Sequence, residues 1–295
     1  MLSEAVTSFS CTLYLLLLIT IIKFKKKEPF KSSFFSICID DGITNLLSTF
    51  VLYVIIYGPD QALLPLEWCE RSPNIWGRIW IYSLHSVEFA QCSSCLLLAV
   101  NRFWAIAMPF SYDLTWQTRH LAVLFALKWA ISFCVTGPAL IAEYNCFKRP
   151  DYNQTGGYYI AIADTALDDR LWFVVAVYSS VCLAAIVLLY GLTYALLWKQ
   201  NTKVTPGQAN TQTSSQRKKE VQLVFAGVCL SVPMTVFVIV KWLGATGYEG
   251  IIFEYEQLFV VFIDFFCWNN VYVLLVISKK TRSYFWKLIT CDKSP

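Results

Sequence analysis

The sequence predicts an all-α integral membrane protein, a bundle of seven transmembrane helices with its N-terminus outside and its C-terminus cytoplasmic. Three observations carry that prediction. Of 295 residues, 57% are hydrophobic and 15% charged, against roughly 25% charged in an ordinary soluble domain. The apolar residues are gathered into seven blocks, each long enough to cross about 30 Å of hydrocarbon at about 1.5 Å of helix rise per residue. The Lys and Arg residues crowd into alternate connections, as cytoplasmic loops do. A mean hydropathy of +0.51 would fit one large apolar core; the division into bilayer-length blocks selects the membrane.

The first span, Ala5 to Ile22, follows Glu4 and precedes Lys23, Lys25, Lys26, Lys27 and Lys31. A secretory leader has the opposite flanks, so this block reads as a retained helix. The second span is Phe34 to Tyr57 and the third Ile79 to Val100. The fourth is Leu121 to Ala142, the fifth Leu171 to Leu197, the sixth Val221 to Leu243 and the seventh Leu258 to Ile277. No connection is long enough for a separate soluble domain, so residues 1–295 read as one domain, with 278–295 a short cytoplasmic tail.

Inner connections hold the five lysines above, then Arg102 and Arg119, Lys199, Lys203, Arg217, Lys218 and Lys219, and in the tail Lys279, Lys280, Arg282, Lys287 and Lys293. Outer connections hold Arg71, Arg78, Lys148, Arg149 and Arg170. The net charge of +4 is thereby explained by topology and the anionic inner leaflet, with no need of a nucleic-acid partner. Most cysteines lie inside spans, where they act as small apolar packing residues. Cys69 and Cys146 lie in outer loops and form one plausible disulfide. Asn153-Gln154-Thr155, in the same loop as Cys146, is a glycosylation acceptor sequence.

At the end of the third span the chain reads Asn101-Arg102-Phe103-Trp104-Ala105-Ile106-Ala107-Met108-Pro109-Phe110-Ser111-Tyr112. This resembles the rhodopsin-like G-protein-coupled receptor signature: an acid, Arg and an aromatic, then x-Ala-Ile-x-x-Pro-x-x-Tyr. Arg102, Ala105, Ile106, Pro109 and Tyr112 match by identity and Phe103 by class, while Asn101 lacks the charge. With Trp116 added, the run is similar to nematode serpentine chemoreceptors of the gamma and V classes. A lone arginine at a span end commonly snorkels to the interface; five further positions in register favour the receptor reading.

The resemblance implies a chemosensory receptor in the plasma membrane that binds a small external ligand and activates a heterotrimeric G protein. Arg102 would be its switch, held by neighbours at rest and exposed on activation. A guanidinium has five donors and keeps its proton, so it can trade partners without losing charge. Asn101 cannot hold it by charge, so the resting lock must be weaker or lie elsewhere. Trp129 and Pro138 of the fourth span also fit the receptor class. Pro233 sits mid-span in the sixth helix, where its missing N–H and its ring favour a kink. The tryptophan usually two residues earlier is Ser231, and Asn269-Asn270-Val271 stands where the family places Asn-Pro.

Five ionisable groups inside spans are singled out, because burial in lipid is costly for them. Glu88 lies about 21 Å along the helix from Arg102, and His85 and Gln91 share its face; by resemblance these are ligand-pocket positions, with a packed polar pair as the alternative. Asp41, with Asn45 and Ser48 on one stripe, is similar to the family's ion-binding carboxylate, with Asn269 or Asn270 as partners. Asp40 points about 100° away and is near enough the inner interface to pair with lysines there. Asp264 could serve either group.

The seventh block holds no lysine for a retinal Schiff base, and His85 and His120 are too few and too far apart for a metal centre. No glycine-rich phosphate loop is present, so neither enzyme nor cofactor is expected. The rival reading is a transporter or channel subunit with Asp41, Glu88 and Asp264 along an ion path. The stretch Gln200 to Gln216 is polar and reads as a flexible connection that turns basic before the sixth helix. Thr281 to Cys291 reads as a short interfacial helix, with Phe285, Leu288 and Ile289 on one face and Cys291 open to lipidation. Only four residues precede the first span, so a large outer domain is not expected; 16% aromatic residues suit a small molecule or short peptide.

Overall fold

In the computed structural model the described residues are 2–27, 30–56, 66–148, 158–201, 227, 229–246 and 256–290. Helix α1 is Leu2–Lys23. Helix α2, Ser33–Phe50, passes into a π-helical turn at Val51–Ile56. After a short α3, Leu66–Arg71, come α4, Pro73–Gly77, a π turn at Arg78–Tyr82 and α5, Ser83–Ala107. These last three form one continuous helix, Pro73–Ala107. The chain then forms α6, Pro109–Thr115, α7, Thr118–Val135, α8, Thr165–Asn201, α9, Cys229–Ala245, α10, Glu256–Ile277, and α11, Lys279–Ile289.

Among the described residues, membrane-length apolar helices stand in the first five blocks and shorter apolar helices, Cys229–Ala245 and Phe265–Ile277, in the last two; several ends differ from the expected ones for local reasons. The third span starts six residues before Ile79, because Pro73 is suited to a first helical turn, and runs on to Ala107 through polar residues that hydropathy discounts. The fifth begins at Thr165, since the Asp164 carboxylate caps the helix by accepting from the Ala166 and Leu167 N–H groups at 3.0 and 3.3 Å. The α-helix of the fourth span stops at Val135, seven residues short of Ala142. There Thr136 bonds back to the Ser132 carbonyl at 2.9 Å, and Pro138 opens a 3₁₀ turn, Gly137–Leu140.

The connection after α7 is not irregular throughout: it contains an antiparallel hairpin, β1 Tyr144–Lys148 with β2 Tyr158–Ile162, in which Cys146 pairs with Ile160. The disulfide Cys69–Cys146 ties this hairpin to α3. Tyr144 secures it from the other side. Its N–H donates to Asn74 Oδ1 at 2.8 Å, and its ring lies where any Cβ on Gly77 would clash, 2.1 Å from Tyr144 Cγ. Burial pushes the Tyr144 phenol up to about 12, so it stays protonated and donates to the Ala139 carbonyl. The apolar core beneath includes Trp80, Ile81, Ala139, Ile160, Ile162 and Leu171.

At the opposite end α11 is tied to α10 by Arg282, which donates to the Leu275 and Val276 carbonyls, the last turn of that helix. Ser278 caps α11 by accepting from the Thr281 N–H at 3.1 Å. Thr281 and Phe285 are its buried positions, and Tyr284 packs on Phe24 and Phe30 after α1. The face therefore differs from the expected one: Ile289 and Trp286 point away from the bundle, 44% and 59% exposed, and suit a lipid interface. Between the ends, one core joins α1, α2, α10 and α11 through Leu17, Ile21, Ile37 and Trp268. A second joins α5, α8, α9 and α10 through Cys92, Ile186, Met234, Phe237 and Phe266. Asn153, Arg217 to Lys219 and Cys291 lie outside the described residues, as does the side chain of Asp264.

Candidate functional site

Among the described residues, four groups of polar side chains along α5 hold the expected site residues, several of them in other pairings than expected. The first is at the end of α5 away from the disulfide. Asn101 is buried and turns from Arg102: its Nδ2 donates to Ser33 Oγ at 3.3 Å, and its Oδ1 accepts from Tyr112 OH at 3.1 Å. Ser33 Oγ and Tyr112 OH share a bond of 2.7 Å, closing a triangle between α2, α5 and α6. Pro109 opens α6 at its first turn and so delivers Tyr112 into that triangle; Phe103, on α5, is half-buried.

Arg102 itself lies with its guanidinium carbon 4.2 Å from the centre of the Phe34 ring, a cation–π contact. With Phe34, Cys38, Leu98, Tyr190 and Asn270 it helps line a cavity of about 20 Å³, room for one water molecule. Side chains from the second, third, fifth, sixth and seventh spans thus converge on this arginine. The group that faces Arg102 here is therefore an aromatic ring and not a carboxylate.

Midway along the bundle, Asp41 is 1% exposed. Its Oδ2 accepts from Asn270 Nδ2 at 2.6 Å, Asn45 Nδ2 at 3.1 Å and Tyr14 OH at 3.3 Å. Its Oδ1 is buried with no hydrogen-bond partner among the described residues. Asn270 is therefore the partner, and Asn269 is not. Asn269 reaches instead across to α9, where it donates to the Cys229 carbonyl. Gln91 also stands apart from its expected companions: it donates to Asn45 Oδ1 at 2.9 Å and accepts from Ser48 Oγ at 3.2 Å, joining the Asp41 layer. One helical turn separates it from Glu88, which is enough to place it in the next layer down.

The third group corrects the reading of Asp40. Its partner is not an interfacial lysine but Lys128 of α7, inside the fourth span, 2.5 Å away. Lys128 also donates to Thr44 Oγ1 and Ser94 Oγ, each at 3.0 Å, so its three protons are all engaged.

Nearest the disulfide end, Glu88 is 4% exposed and holds two partners. His85 Nδ1 lies 3.0 Å from Glu88 Oε2 within α5, and Lys241 of α9 donates to Oε1. Lys241 is boxed by aromatic faces, with Trp172 of α8 at 4.4 Å and Phe237 at 5.1 Å. The His85 ring stands edge-on to Trp172, centroids 5.7 Å apart. The sequence analysis gave Lys128 and Lys241 no role. The available signal was simple: each is an unexplained cation within an apolar block, and such residues need an acid.

The family model for the serpentine-type seven-transmembrane G-protein-coupled chemoreceptor Srv matches residues 4–291. Serpentine receptor class V-1 of Caenorhabditis elegans is 19% identical over 263 residues, covering 88% of this chain and 80% of the relative. Growth hormone secretagogue receptor type 1 of Mus musculus is 23% identical over 72% of this chain and 61% of its own length. Human 5-hydroxytryptamine receptor 1D is 28% identical over a shorter stretch, 33% of this chain and 26% of the relative. Matched along nearly its whole length, the chain belongs to the Srv family of serpentine seven-transmembrane G-protein-coupled chemoreceptors.

Proposed function

We propose that this receptor sits in the plasma membrane with the disulfide end outside, takes a small external ligand in the layer of His85 and Glu88, and activates a heterotrimeric G protein at the Arg102 end. The observation that carries the coupling half is the setting of Arg102: a permanent cation held by the face of Phe34, where five spans converge. An aromatic face is a weak enough partner, worth about 0.5–2 kcal/mol, for a G protein to outcompete. Orientation is supported by the basic inner connections and by the disulfide, which forms on an oxidising face. Family membership favours a receptor over the transporter alternative.

The test is nucleotide exchange on a G protein co-reconstituted with the receptor in vesicles. Arg102→Ala should abolish receptor-dependent exchange and leave surface expression unchanged; exchange at the wild-type rate would remove Arg102 from the role. Asp41, with one carboxylate oxygen left open among described residues, is proposed as a site for a cation or a proton that favours the resting state. Replacing choline by sodium should lower basal exchange in the wild type and leave Asp41→Asn unmoved; equal sodium sensitivity in both would dismiss that role.

A further inference from the structure

The layer of Glu88 also indicates the chemistry of the ligand. Glu88 and Lys241 form a closed ion pair between α5 and α9, with side chains 5% and 1% exposed. The two partners are unequally provided for. Glu88 has a second partner in His85, one turn away on its own helix, at 3.0 Å. Among the described residues, Lys241 has Glu88 as its acceptor, and otherwise the faces of Trp172 and Phe237.

A ligand can enter this arrangement by replacing either charge. A cation that took Glu88 would leave Lys241 buried against two rings with no anion, which is the costly way to break a buried pair. An anion that took Lys241 would leave Glu88 bonded to His85 and would itself be paired, with the aromatic faces ready to pack an apolar body. We infer that the ligand is an organic acid whose carboxylate takes Lys241 from Glu88, on the basis of the proposed ligand layer. The exchange of partners frees α9 from α5 at a point eight residues beyond Pro233, so binding and release of the sixth helix are one event.

Binding is read without a G protein, as the thermal stability of the full-length receptor in lipid nanodiscs. The probes are decanoate and phenylacetate, with decanamide, phenylacetamide and decylamine as matched controls. The two acids should raise the wild-type Tm by about 3 °C, and the controls should not. Lys241→Met should lose the shift. Glu88→Gln removes the competing carboxylate and should lower the half-saturating acid concentration about tenfold, an effect that a merely structural pair would not give. The double variant Glu88→Gln/Lys241→Met removes both members of this ion pair together and strands neither; it should fold and ignore the acids.

The inference is overturned by amides or amine as effective as acids, by a shift that persists in Lys241→Met, by weaker acid binding in Glu88→Gln, or by no acid-selective shift in the wild type. Loss of coupling in Arg102→Ala leaves the acid shift in place, so this inference and the coupling reading fail separately.

Discussion

Asn269 of the seventh span donates its side-chain N–H to the backbone carbonyl of Cys229 in the sixth. Cys229 is four residues before Pro233, so its carbonyl is the one that the proline leaves without an in-helix donor. The helix continues through Pro233 as α9, and the neighbouring helix supplies the missing bond. The proline weak point is thereby made conditional: it is intact while α10 is docked and exposed when it is not.

Asn269→Ala should therefore cost about 1–2 kcal/mol, the penalty of a half-buried carbonyl left unpaired within the span. In a Pro233→Ala background the helix makes its own bond, and the same substitution should cost close to nothing. Thermal denaturation of the four proteins forms a double-mutant cycle. An Asn269→Ala cost that is the same in both backgrounds would rule out the carbonyl as the reason for this asparagine.

Lys128 joins α7 to α2 through Asp40 and is engaged at every proton. Lys128→Met strands a carboxylate with a side chain 13% exposed, and should destabilise by about 3–5 kcal/mol. The paired change Lys128→Met/Asp40→Leu should recover most of that loss, because both charges leave together. Surface expression and Tm of the two variants decide the matter. A double variant no better than Lys128→Met alone would show that Thr44 and Ser94, not the ion pair, set the cost.

The Cys69–Cys146 bond closes a loop with a sequence separation of 77 and fixes the hairpin over the disulfide end. Loop-closure entropy puts its contribution at about 4 kcal/mol. Cys69→Ser, Cys146→Ser and the double change should lower Tm by equal amounts, and dithiothreitol should do to the wild type what the double change does. A further drop when dithiothreitol is added to the double variant would place the sensitivity in another thiol.

How much of this was legible in the sequence depended on what each feature needs from a neighbour. The spans were legible because bilayer thickness sets their length and composition without any tertiary partner. The Asn101 to Tyr112 run was legible because its spacing is local to one helix end and the turn after it. Lys128 and Lys241 were not, because an average over a span hides one lysine, and only packing shows that each meets an acid on another helix. The roles of Asn269 and Asn270 were not separable in advance for the same reason. Adjacent residues on a helix point about 100° apart, and only the packed bundle shows that one faces Asp41 while the other faces α9. The hairpin at Tyr144 was hidden by the strength of the helical signal on both sides of it.

The Phe34 ring face lies 4.2 Å from the Arg102 guanidinium, and that geometry predicts opposite effects for two substitutions of Phe34. Phe34→Leu keeps an apolar side chain but removes the quadrupole, worth about 1 kcal/mol. That is about a fivefold shift in a two-state population, so basal nucleotide exchange should rise about fivefold. Phe34→Trp offers a more electron-rich face and should bring basal exchange below wild type. Expression-matched receptors in the same exchange assay separate ring chemistry from packing. If Leu and Trp change basal exchange in the same direction, the fit of Phe34 between α2 and α5, and not its face, is what restrains Arg102.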